Sequence, residues 1–155
     1  MGIRERLTAF GAYFYLERPV RNKSYADLGR DLEQSGQSIL ARLQSKQMTA
    51  FNHRVFSHII GIERWGQSRL RALLGGPLLQ DEYNGYRPAR DLPWDALIEQ
   101  FRATRAETVA IAQTLETALV GHAQTVPHNE FGPLSARAWL RYLETHASRE
   151  IFQVR

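Results

Sequence analysis

The sequence predicts an all-α protein, a four-helix bundle, and three observations predict it. Apolar residues recur at spacings of three, four and seven through four segments of about 20 residues each. No segment sustains the period-two alternation of a half-buried strand, and residues that start or stop helices bound the segments. At 155 residues the chain is expected to form one domain, 1–155, long enough to bury a core and too short for two comfortable ones.

Residues 1–23 form an N-terminal arm containing "FGAYFYL", whose aromatics suit either a short helix or an extended strap across the bundle. The first long helix, about 24–45, opens at "SYAD", a capping-box pattern with Ser24 and Asp27. It carries Leu28, Leu32, Ile39 and Leu43 on one face. The second shows Phe51, Val55, His58, Ile62 and Trp65 at spacings of four, three, four and three, and stops at Gly75, Gly76 and Pro77. Its seam therefore holds a histidine. The loop "LQDEYNGYRPARD" leads to a third helix with Asp91 as its cap and Pro93 in its first turn, where a missing N–H costs nothing. Its stripe runs Leu97, Phe101, Thr104, Thr108, Ile111, Leu115 and Leu119, and Gly121 ends it. "HAQTVPHNEFGP" reads as an irregular connection with room for a very short strand at most. The fourth helix begins near Ser135, and its seam is Trp139, Leu143, His146, Glu150 and Gln153. Helices two and four are expected to be neighbours, because both put polar residues into their seams and those residues need partners.

With no cysteine, the chain has no disulfide, zinc knuckle or thiol nucleophile, so any metal would be held by His, Asp, Glu or solvent. Charge interrupts the apolar residues of "MGIRERLTAFGAYFYLERP", and no stretch approaches the roughly 18 apolar residues of a membrane span. A soluble cytoplasmic protein is expected. Gly2 is followed by Arg6 where myristoylation needs Ser or Thr. The net charge of +4 and pI of 9.8 raise the question of nucleic acid, but the arginines are scattered among Asp and Glu without a basic run. The expected partners include neither nucleic acid nor membrane.

His58, and the pair His146 and Glu150, stand where their helices should carry apolar residues. Each has a plain structural explanation: a hydrogen-bonded core histidine, or an i, i+4 surface pair worth a few tenths of a kcal/mol. Together they admit a second one, because a carboxylate in a bundle seam is costly unless it is paired or binds a metal. His53 lies five residues from His58, about 140° around the helix, so the two cannot serve one site. His122 and His128 fall in the connection and read as exposed and non-ligating. No Gly-x-Ser-x-Gly elbow and no phosphate-cradling glycine loop is present.

Two stretches, "FNHRVFSHIIGIERWGQSRL" at 51–70 and "FGPLSARAWLRYLETHASREIFQV" at 131–154, resemble the two most characteristic segments of the DinB-like family. These are damage-inducible, metal-binding four-helix bundles, and the resemblance extends more loosely over 24–154. It implies a divalent metal, zinc or nickel, held by one histidine of the second helix and two of the last, and a low-molecular-weight thiol as co-reactant. A homodimer is implied as well. By position the ligands would be His58, His146 and Glu150, with Gln153 supporting them from outside the ligand set. Glu150 departs from the family's third histidine, and a carboxylate removes one unit of the ion's charge, weakening its pull on a thiolate or water. Glu63 is a further candidate to support the site, although a regular helix turns it away from His58. Two functions follow. One is a metal-dependent enzyme, a thiol-dependent transferase or isomerase acting on a small electrophile. The other is a non-catalytic, dimeric, stress-related bundle with a vestigial metal site.

Overall fold

The computed structural model describes Thr8 and residues 10–155. Ser24 opens the first long helix, α1 (Tyr25–Leu43): its hydroxyl accepts the Asp27 N–H at 3.0 Å, and the Asp27 carboxylate accepts the Ser24 N–H at 3.1 Å. This is the expected capping box. Helix α2 (Ala50–Leu73) is capped by the Thr49 side chain, which accepts from Asn52 N–H. Helix α3 (Trp94–Thr117) corrects the expected Asp91 cap, for its N-cap is Pro93, which brings no side-chain acceptor.

The end of α3 also differs from expectation. Leu119 turns into the left-handed region at φ 54° and is 86% exposed, so it leaves the apolar stripe. The N–H of Val120 bonds to Leu115 O and that of Leu119 to Glu116 O, a Schellman closure that buries Val120 in place of Leu119. Helix α4 (Ala136–Glu150) starts where predicted, with the Ser135 hydroxyl accepting Ala138 N–H, and passes into a 3₁₀ turn at Ile151–Gln153.

Between α3 and α4 lies an antiparallel hairpin, β1 (Thr125–His128) and β2 (Gly132–Ser135), with Val126 opposite Leu134. Both of those side chains are buried, and the Trp139 indole donates to Val126 O at 3.1 Å, tying the hairpin to α4. The described part of the N-terminal arm is helical: a π-helical turn at Tyr13–Glu17 is followed by a 3₁₀ turn at Arg18–Val20. Residues 1–7 and 9 of that arm lie outside the described residues.

Helix α1 packs against α3 and α4, and α2 packs against the same two, so α1 and α2 stand across a diagonal. One apolar cluster gathers Leu28, Trp65, Leu134 and Trp139; a second gathers Phe56, Ile60, Leu97, Phe101 and Ile151. Phe51, expected in the α2 seam, is instead 36% exposed beneath the guanidiniums of Arg54 and Arg155. The chain is thus mostly helical, with one small hairpin among the described residues. No described helix is long and apolar enough to cross a membrane.

Two glycines of α2 set how closely its neighbours approach. A Cβ at Gly61 would lie 2.7 Å from Arg87 Cγ and 3.2 Å from Tyr83 O, so the loop carrying both residues rests on bare backbone. A Cβ at Gly66 would lie 2.5 Å from Leu143 Cδ2, and Leu143 is fully buried in the core. Gly66→Ala is expected to force α2 and α4 apart and cost about 1–3 kcal/mol, as overpacked cores do. Urea unfolding measures this, and an unchanged midpoint would show that Leu143 repacks freely.

Candidate functional site

The α2–α4 contact brings His58 and His146 together, ring centroids 5.1 Å apart and planes inclined at 60°. Tyr83, carried by the loop that rests on Gly61, meets His58 edge-on at 4.9 Å. Tyr142, one turn before His146 on α4, lies 5.7 Å from it. On the far side of Tyr142 stands His128, at 4.6 Å, itself packed on Trp65 and Trp139 at 5.1 and 5.0 Å. Six rings therefore run in contact from Trp65 through His128, Tyr142, His146 and His58 to Tyr83.

This row of rings borders an open pocket of about 770 Å³. Its wall includes both histidines, Tyr83 and Tyr142, with Arg141, Arg149 and Glu130 supplying charge. Tyr15 and Leu16 of the π-helical turn close one side, where Arg141 Nε donates to Tyr15 O at 2.8 Å. A larger groove of about 1030 Å³ lies at the start of α2 and α3, but its only histidine is His53. The paired imidazoles are in the smaller cavity, so we place the candidate site there.

Both imidazoles are held neutral. Burial, followed by His58 and the charge of Arg149, pushes His146 down to about 3. His58 is also lowered, by burial and then by Arg87, with Glu150 opposing. Burial raises the Tyr142 phenol well above its ordinary range. At neutral pH the pocket therefore offers two imidazoles, each with one N–H donor and one bare acceptor nitrogen, beside a phenol that stays protonated. With its pKa so low, His146 is a weak base and serves better as a hydrogen-bonding wall.

The expected zinc or nickel site is not assembled. Among the described residues no three His, Cys, Asp or Glu side chains form a group able to hold a metal ion. His58 and His146 converge, but Glu150 does not join them: the pocket wall includes Arg149 and not Glu150. The Gln153 amide donates to Glu150 Oε2 at 2.5 Å on the exposed side of the helix end. That exposed pairing satisfies the carboxylate without a metal, and its charge reaches His58 only through space. The low-molecular-weight thiol expected alongside the metal loses its anchor with it.

No protein-family model, curated protein or solved structure matches the chain. The DinB-like resemblance rests on the sequence stretches 51–70 and 131–154, with a looser fit over 24–154.

The remaining candidates separate clearly. Glu63 is 1% exposed and faces α3, where Arg105 donates to both its carboxylate oxygens at 2.7 and 2.9 Å and Thr108 donates at 2.8 Å. It braces the helices and has no part in the pocket. His53 turns to the other side of α2, its Nε2 bonded to Leu92 O at 3.0 Å. His122 is exposed, as expected, and bonds Arg21 O.

His128 corrects the expectation of an exposed ring, since it is 5% exposed. The hairpin turns it inward, and its Nδ1 accepts the N–H groups of Glu130 and Phe131 at 3.1 and 3.3 Å. The neutral ring must then carry its proton on Nε2. A signal for this was present. Asn129 and Gly132, with Gly132 at φ +76°, form a short glycine-ended turn between the apolar Val126 and Leu134. Tyr83 and Tyr142 carried no such signal, because their partners come from other elements.

Proposed function

We propose that the chain is a metal-free, DinB-like four-helix bundle that binds a small, flat, largely apolar molecule between the rings of the His58–His146 pocket. The observation that carries this reading is the convergence of two neutral imidazoles in an open aromatic cavity of about 770 Å³. Small-molecule sites are commonly apolar clefts of roughly 300–1,000 Å³ with a few converging polar groups, and this pocket has that character. Ring faces would take the apolar body, the imidazoles would exchange hydrogen bonds with a polar edge, and Arg141 and Arg149 would receive an anionic substituent. This is the non-catalytic of the two functions expected from the sequence.

Naphthoate and naphthol, titrated by calorimetry, test it. Naphthoate should bind in the micromolar range, His146→Ala should weaken both probes about tenfold, and Arg149→Gln should weaken naphthoate alone. No saturation of either probe at millimolar concentration, or indifference to His146→Ala, would remove the pocket from consideration.

A second copy of the chain is the protein partner we propose. Phe10, Tyr13, Phe14 and Tyr15 are exposed together on the N-terminal helical segment, with the rings of Phe10 and Phe14 in tilted contact, centroids 4.6 Å apart. Light scattering at tens of micromolar should give a dimer, and Tyr15→Ser with Phe10→Ser should give a monomer. A monomeric parent would end this proposal.

A further inference from the structure

The larger groove, about 1030 Å³, plays no part in the reading above. Arg54, from the first turns of α2, and Arg87 and Arg90, from the loop before α3, all line it, opposed by the single carboxylate of Asp91. The ion pairs of the described residues involve none of these three guanidiniums. Arg87 is fixed in place: its Cγ packs where Gly61 lacks a side chain, and its Nη2 donates to Arg54 O at 2.9 Å. That leaves Arg87 Nε buried with no acceptor. His53 pins the opposite wall through its bond to Leu92 O.

A second feature of the same groove points to the same kind of ligand. Pro93 lines it and opens α3 without a side-chain acceptor for the first-turn N–H groups. Asp95 in that turn adds charge but no capping bond. A 24-residue helix therefore presents uncapped donors, and the positive end of its dipole, beside three arginines. Guanidinium forks match the oxygens of a phosphoryl group bidentately. Met48, Pro88 and Leu92 complete the wall with apolar surface, in a space far larger than one inorganic ion needs.

We propose that this groove binds a phosphorylated small molecule, its phosphoryl oxygens on Arg54, Arg87 and Arg90 at the start of α3 and its organic part against Met48 and Leu92. The groove shares no lining residue with the His58–His146 pocket, so binding at either can fail without the other. The arginines line one cavity, with the Arg54 guanidinium also packed over the Phe51 ring at its rim, and form no stripe along the surface, which favours a compact phosphate ester over a nucleic-acid backbone.

Calorimetric titration of the full chain with phenyl phosphate at low salt tests the proposal. Saturable binding is expected, at least about tenfold tighter than that of inorganic phosphate. Arg54 and Arg90 are exposed, so Arg54→Gln with Arg90→Gln should leave the thermal melt unchanged. The same double variant should weaken phenyl phosphate about tenfold, while His146→Ala leaves it unaltered. Equal affinity in parent and double variant would overturn the proposal, as would inorganic phosphate binding as tightly as the ester. Preferential binding of a short DNA duplex, steeply salt-dependent, would overturn it in favour of a nucleic-acid surface.

Discussion

Arg105→Met should destabilise the protein by about 3–5 kcal/mol, because it strands a buried carboxylate. Glu63 is 1% exposed and Arg105 4%, and the guanidinium also donates to Leu32 O at 2.9 Å and Ser35 Oγ at 2.7 Å. One side chain thus ties α1, α2 and α3 together. Gln67 extends the network, its amide donating to Thr104 O and to Thr108 Oγ1. Removing the cation leaves Glu63 with the Thr108 hydroxyl and no countercharge in a low-dielectric interior. Removing both charges is a different matter, since a buried pair owes much of its attraction to offsetting its own desolvation. Glu63→Met with Arg105→Met should therefore be more stable than Arg105→Met alone. Urea denaturation of the three proteins decides the point. A loss under about 1 kcal/mol for Arg105→Met, or a double variant worse than the single, would mean that water reaches the pair and screens it. Ligand binding in the histidine pocket should survive in any variant that folds, because Glu63 lies about 140° around α2 from His58.

Acid should destabilise the protein through His128 and His146. Burial, with the nearby charge of Arg69, takes His128 from 6.5 down to about 4. Above pH 6.5 the ring is neutral in the folded and unfolded chains alike. Below that, the unfolded chain takes up a proton that the folded chain refuses, so stability falls as pH falls, and the loss is complete once pH drops below about 4. A gap that wide corresponds to about 3 kcal/mol. His146, down to about 3, continues the same trend to lower pH. Unfolding free energies measured at steps from pH 8 to pH 4 should show a plateau and then a steady decline beginning near pH 6.5. Histidine NMR titration assigns the cause: a His128 midpoint near 6.5 would show that its ring is solvated, and would detach the decline from the hairpin.

The local features of the chain were legible wherever a short stretch carries its own physics. Ser24 and Asp27 form the expected capping box through bonds that span three residues, and the helix expected to begin near Ser135 does begin there. The stripe Leu97, Phe101, Thr104, Thr108, Ile111 and Leu115 is buried throughout, since the helical period alone selects one face. The same reasoning failed at Leu119, where closure of the helix end overrode periodicity. It failed at Phe51 too, where the seam runs out at the rim of the fold.

The sequence by itself determined that four long helices form, nearly where each begins, and that His58 and His146 share facing seams. Only the tertiary structure decided which polar residues are inside and what they do there. Glu63 is a brace because Arg105, 42 residues away, arrives to pair with it. His128 joins the row of rings because a hairpin folds it under Tyr142. Glu150 turns to Gln153 at the surface, and among the described residues no third side chain joins the two histidines to hold a metal. A helical period says which way a side chain points, at no cost in information. Whether a charge or an imidazole can stay there depends on a partner that another element must deliver, and that free energy is set by three-dimensional proximity alone.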